Sequence, residues 1–204
     1  MFFTEGTSNY DKVLTELLAE LQDKPLDEAA AKRLGCELMG GNVSVPFFKE
    51  PHLVKPDGIY RGAEKLDTVG SILVCRYLLI RGDDYRQNVW WPYRDLKGGE
   101  PFAEYVKANI EEKTAKAFSD KKDLLRARLT GIGAEIYRSE SSPDVAAAIH
   151  VFPLVPVVCM FWDKDPEFEA VLQFLFDRSA PSFLDLESLA VVLEYVSVRL
   201  MKDA

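Results

Sequence analysis

Several short strings bring together side chains able to bind a ligand or carry chemistry. Trp90-Trp91-Pro92-Tyr93-Arg94-Asp95 sets large aromatic rings beside a guanidinium. Those residue types line ligand pockets and dominate interface hot spots. The plainer reading is a strand whose rings alternate into core and rim, with Arg94 and Asp95 paired locally. Asp177-Arg178 follows the apolar Leu175-Phe176. A guanidinium fork at a strand end can hold an anion, although a structural ion pair accounts for the same residues. Asp163-Lys164-Asp165-Pro166-Glu167 spaces its carboxylates at alternate positions, as oxygen-rich Ca²⁺ or Mg²⁺ loops do. An EF-hand begun at Asp163 would need Gly where Phe168 stands and Glu where Phe174 stands, so a turn capped by Asp165 is the stronger reading. His150 lies in the apolar run Val145–Phe152, where a lone histidine reads as a hydrogen-bonded core residue. Placed beside Cys159 on a neighbouring strand, it would form a thiol–imidazole dyad. His52 reads as part of a Pro-flanked loop with no visible partner.

The candidate ligand-binding residues are therefore Trp90, Arg94, Asp95, His150, Trp162, Asp177 and Arg178. Asp163, Asp165 and Glu167 are weak metal candidates, and no metal is favoured. Gly131-Ile132-Gly133 follows a helical pattern and lacks the third glycine of a dinucleotide fingerprint, and no P-loop string occurs. Catalytic residues and cofactor stay unassigned.

The elements that must position these groups follow from periodicity. Tyr10, Val13, Leu14, Leu17, Leu18 and Leu21 recur at helical spacing, and a short Ala-rich helix precedes Gly35. Gly40-Gly41, Pro46, Pro51 and Pro56-Asp57-Gly58 punctuate residues 36–61 into short antiparallel strands. Asp67 caps a helix to Ile80 whose apolar residues nearly surround it, so it belongs in the core. Val89–Tyr93 reads as a strand, Pro101 opens a helix, Ser119 caps the next one to Gly131, and Ile132–Tyr137 reads as strand. Val145–Trp162 reads as two strands broken at Pro153 and Pro156. Val171–Phe176 fits strand alternation better than helical spacing. Asp185 opens the last helix. The expectation is one α+β domain, a mainly antiparallel mixed sheet packed by five or six helices, spanning residues 1–204.

Thirty-three acidic against 25 basic residues give a formal charge of −8, which argues against nucleic-acid binding. The 48% hydrophobic content excludes disorder. Residues 145–162 carry no full charge, but two prolines, His150 and a strand period exclude a membrane helix. Three cysteines make no disulfide framework, and the amino terminus lacks the pattern of a signal segment, so a cytoplasmic location is expected.

Taken in order, NVWWPYRDLKGGEPFAEYV, DVAAAIHVFPLVPVVCMFWDKDPEFE and LQFLFDRSAPSFLDLESLAVVLEYV resemble the bacterial and archaeal family named domain of unknown function 3786. The matching pieces are Arg94–Gly99, Phe152–Pro156, Trp162 with Asp165, Glu167 and Phe168, and Leu175–Ser179, within residues 85–200. The resemblance implies a soluble domain typical of anaerobes. Some similar proteins are encoded beside corrinoid and one-carbon genes, and some add an iron–sulfur cysteine cluster. That cluster has no counterpart in this sequence, and the family supplies no catalytic residues to carry over. The leading expectation is a non-catalytic small-ligand-binding or accessory domain of anaerobic metabolism, its motif residues converging on one pocket. The alternatives are a metal-dependent hydrolase built on Asp163, Asp165 and Asp177, and a module that binds a protein partner through its aromatic segment.

Overall fold

Punctuation after Gly35 decides the first half of the structure. The computed structural model describes residues 7–202, so the amino-terminal reading on signal segments lies outside the described residues. Residues 37–65 fold as β1 (Glu37–Met39), β2 (Asn42–Phe47), β3 (Glu50–Lys55), β4 (Gly58–Arg61) and β5 (Glu64–Lys65). Each strand pairs antiparallel with the next. Phe48 and Lys49 form the two-residue turn between β2 and β3, with φ of 52° and 63°. That left-handed backbone matches the twist of a tight hairpin, although side chains rarely adopt it. The turn makes Phe47 and Glu50 a hydrogen-bonded pair, and bonded and non-bonded pairs alternate along an antiparallel ladder. Pro46 and Pro51 face each other at the next position, where their missing N–H groups cost this ladder nothing. His52 consequently belongs to β3 and not to a loop.

The second sheet comprises β6 (Trp90–Pro92), β7 (Glu135–Ile136), β8 (Val145–Phe152), β9 (Val155–Trp162) and β10 (Val171–Asp177). Its spatial order is β6-β10-β9-β8-β7, and every pairing is antiparallel. The α+β class holds, with the strands divided between two wholly antiparallel sheets instead of one mixed sheet. Leu172, Phe174 and Phe176 alternate into the core, which settles β10 as a strand. Pro156 is tolerated inside β9 beside a register irregularity between His150 and Phe152.

The helices are α1 (Thr7–Asp23), α2 (Glu28–Arg33), α3 (Thr68–Ile80), α4 (Glu100–Tyr105), a π-helical turn (Val106–Glu111), α5 (Glu112–Phe118), α6 (Lys122–Gly131) and α7 (Leu186–Met201). Asp27, Asp67 and Asp185 cap α2, α3 and α7 by accepting from Ala30, Gly70 and Ser188 N–H groups at 2.7, 2.9 and 2.8 Å. Ser119 does not cap α6; it ends α5, and Lys121 precedes α6 without a side-chain cap. The strand expected over 132–137 shrinks to β7, because α6 and its closing turn consume the preceding residues. The π turn answers a gap in the second sheet. β6 is too short to cover all of β10, and the widened turn delivers the Glu111 carboxylate to the Phe174 N–H at 2.9 Å. Burial raises the Glu111 carboxyl above its ordinary range, and that hydrogen bond partly offsets the rise.

One apolar cluster runs through helices and both sheets. Tyr77 of α3 stacks on Phe152 of β8 at 4.4 Å and donates to the Leu34 carbonyl at 2.7 Å. The sheets join where the Phe48 N–H donates to Val151 at 3.0 Å. Gly35, at φ +69°, ends α2 where an added Cβ would lie 2.6 Å from Pro153 Cβ.

Asp177, at the end of β10, is fully buried. It accepts from the N–H groups of Gln87, Asn88 and Ser179 at 3.1, 2.5 and 3.0 Å and from the Ser179 hydroxyl at 2.7 Å. It thus pins residues 81–89, a segment without regular structure, to the sheet edge. Burial works to raise its carboxyl; the hydrogen bonds from Ser179, Gln87 and Asn88 outweigh it and hold the group below the usual carboxylate range. Asp177→Ala is expected to cost about 3 kcal/mol, because buried donors lose their acceptor. Urea unfolding at neutral pH measures this, and a variant within about 0.5 kcal/mol of the parent contradicts the pinning role.

Candidate functional site

A cleft of about 570 Å³ opens between the first sheet and α7, lined by Glu50, His52, Arg61, Asp67, Tyr195 and Arg199 among others. Three elements supply its chemistry. β3 presents His52, the N-cap of α3 supplies Asp67, and α7 supplies Tyr195 and Arg199, four residues apart on one helical face.

His52 is 4% exposed. Its Nδ1 lies 2.8 Å from the Glu50 carbonyl oxygen. A carbonyl only accepts, so the proton of the neutral ring sits on Nδ1 and Nε2 keeps its lone pair. Nε2 has no hydrogen-bond partner among the described residues. Burial lowers the His52 pKa; the Glu50 carbonyl and carboxylate oppose this, and the Arg61 and Arg199 charges reinforce it. The ring is therefore neutral at neutral pH.

Tyr195 donates its hydroxyl to Asp67 Oδ2 at 2.5 Å, while Asp67 Oδ1 caps Gly70. Burial and the neighbouring Asp67 charge push the phenol well above its ordinary pKa. Its proton is thus committed, and Arg199 acts on its oxygen as a donor, opposing that rise. The Arg199 guanidinium lies 4.4 Å from the Phe48 ring centroid and 6.0 Å from that of Tyr195. It belongs to no ion pair among the described residues. At the mouth, Arg61 is already held by Glu50 at 2.6 Å and Glu64 at 2.8 Å. The cleft therefore offers the Arg199 guanidinium without a carboxylate partner, the Lys65 and Lys202 ammonium groups beside it, and His52 Nε2 as an acceptor.

The residues singled out by sequence do not converge on one pocket. Trp90 and Trp162 pack, half-buried, against Val158, Met160 and Leu175 on the outer face of the second sheet. Trp90 meets Tyr137 edge-on at 5.8 Å, and the Trp162 indole donates to Ser141 at 3.4 Å. His150 is on that outer face too, 3.5 Å from Glu135. Cys159 pairs opposite Ala147 on the core face, so His150 and Cys159 form no dyad. Arg94 and Asp95 sit exposed in a 3₁₀ turn after β6, 3.6 Å apart, as the local-pair reading holds. Arg178 stacks on Trp91 at 4.8 Å instead of pairing with Asp177, which binds backbone. Asp163 accepts from the Asp120 and Lys164 N–H groups, and Asp165 from those of Glu167 and Phe168, which makes the acidic run a turn. Among the described residues no group of three His, Cys, Asp or Glu side chains is placed to hold a metal ion. No described helix is long and apolar enough to cross a membrane.

Sequence reading missed His52, Tyr195 and Arg199 as site residues and took Asp67 as a cap only. The usable signals were a proline pair compatible with a hairpin and the Tyr195/Arg199 spacing.

The model of the family described as Domain of unknown function (DUF3786) matches residues 27–199, which contain every cleft residue just described from His52 to Arg199. No curated protein and no solved structure matches the chain.

A pH dependence follows from the two histidines. Burial first, then the Lys49 charge, lowers the pKa of His150, with Glu135 opposing. Both groups have folded-state pKa values below the unfolded value of about 6.5. Their contribution is complete above that value and is lost as pH falls through it, because the unfolded chain binds more protons. The urea midpoint should drop between pH 7.5 and 5.5, with a shallower drop in His52→Gln and a shallower one still in His52→Gln/His150→Gln. Identical slopes in all three proteins contradict the assignment.

Proposed function

The chain belongs to the DUF3786 family, and we propose that it is a small-ligand-binding domain whose site is the cleft between the first sheet and α7, where Arg199 receives an anion. The observation that carries this reading is the Arg199 guanidinium, stacked at Phe48 with no carboxylate partner. Stacking fixes the plane of a guanidinium and leaves its N–H fork for a carboxylate or phosphate. The chain's net charge of −8 does not oppose this, since a cleft with low-dielectric walls focuses its local cation. The other classes fit less well. Backbone N–H groups take both oxygens of Asp177 and one oxygen each of Asp163 and Asp165, no group of three metal-ligating side chains occurs among the described residues, and Trp90 and Trp91 are half-buried within the second sheet.

Thermal unfolding at constant ionic strength with added inorganic phosphate, sulfate or butyrate tests the reading. At least one anion should raise the stability of the parent protein, by about 2.7 kcal/mol at a hundredfold excess over Kd. Arg199→Gln should abolish the effect while Arg178→Gln leaves it intact. No response to any of the three anions, or an equal response in Arg199→Gln, overturns the proposal.

A further inference from the structure

The polar atoms inside the cleft constrain more than the charge of the ligand. Arg199 supplies donors. His52 Nε2 can only accept, because the Nδ1 proton faces the Glu50 carbonyl; the Tyr195 phenol proton goes to Asp67, and Arg199 already acts on its oxygen. His52 as a whole is only 4% exposed, and its Nε2 is left to accept from the solvent of the open cleft. An unsubstituted acid that displaces this solvent would leave the nitrogen without a donor, a cost that a hydroxylated acid avoids. The complement of this arrangement is a molecule anionic at one end and hydrogen-donating at the other. The donor should be neutral. Arg61 and Arg199 both act on His52 against the single carboxylate of Glu50, which disfavours an ammonium.

We infer that the cleft takes a small hydroxylated organic acid, its carboxylate on Arg199 and its hydroxyl donating to His52 Nε2. The inference rests on the cleft being the binding site and adds the chemical class of the ligand. The 570 Å³ volume accommodates acids of this size. Phe47 sets the span, its ring centroid 5.6 Å from those of both His52 and Tyr195.

Calorimetric titration of the full chain with butyrate and with 2-, 3- and 4-hydroxybutyrate is the test. At least one hydroxybutyrate should bind about tenfold or more tightly than butyrate, since a site built to bond a hydroxyl rejects the analogue lacking it. His52→Leu, which keeps an apolar side chain against Phe47, should remove the preference for the hydroxylated acid. His52→Gln, whose amide oxygen accepts, should retain part of the preference and provides the check should the leucine variant fail to fold. Equal binding of butyrate and all three hydroxybutyrates overturns this inference and leaves the anion site standing. A preference undiminished in a folded His52 variant also overturns it. Binding of none of the four acids overturns it together with the anion site beneath it.

Discussion

Phe47 is the wedge on which both halves of the fold converge. It is fully buried at the end of β2. Its ring centroid lies 4.8 Å from Phe48, 5.0 Å from Phe152 and 5.6 Å from both His52 and Tyr195. One side chain thus ties the first sheet to the second and to α7. Aromatic contacts of this kind stabilise beyond their buried area. Here they also fix the turn at Phe48-Lys49, whose left-handed backbone places the Phe48 ring under Arg199. The cleft is a consequence of the join: where the hairpin meets α7, the aromatic contacts form a floor and the charged residues form the rim.

Electrostatics in the cleft follow from which protons are already spent. Backbone and carboxylate partners take the Nδ1 proton of His52 and the phenol proton of Tyr195. Asp67 divides its two oxygens between a helix cap and that phenol, so it is not a free base. What remains is complementary by subtraction: cations without carboxylate partners, Arg199 foremost, and the His52 Nε2 acceptor. The same logic empties the alternatives elsewhere. Asp163 and Asp165 look like metal or anion chemistry in sequence, yet each spends one oxygen on N–H groups of an adjoining turn, and buried Asp177 spends both on N–H groups and a hydroxyl. Burial of a carboxylate is stable only when its lone pairs are occupied, so buried acids are often structural.

Much of the architecture was legible in the residues. Capping aspartates at 67 and 185 and the alternation in Val145–Phe152 correspond to real elements. Short-range punctuation is local physics, and it survives folding. The site was less legible because strand periodicity separates neighbours. Trp90 and Trp91 are adjacent in sequence and face opposite sides of the second sheet. His150 and Cys159 sit on adjoining strands yet face opposite sides. His52 was hidden by Pro51, which suggests a loop unless one notices that Pro46 pairs with it across a two-residue turn. The meeting of His52 with Tyr195 depends on a separation of over a hundred residues, and no local pattern carries that.

The central claim is that the cleft holds a neutral imidazole with its bare nitrogen available. Long-range ¹H–¹⁵N correlation spectra of the ring nitrogens, assigned by comparison with His52→Gln, test it most directly. At pH 7.5 the account predicts a protonated, pyrrole-like Nδ1 and an unprotonated, pyridine-like Nε2, with the Nε2 resonance moving on addition of a bound hydroxy acid. A ring protonated at both nitrogens, or one carrying its proton on Nε2, would contradict it.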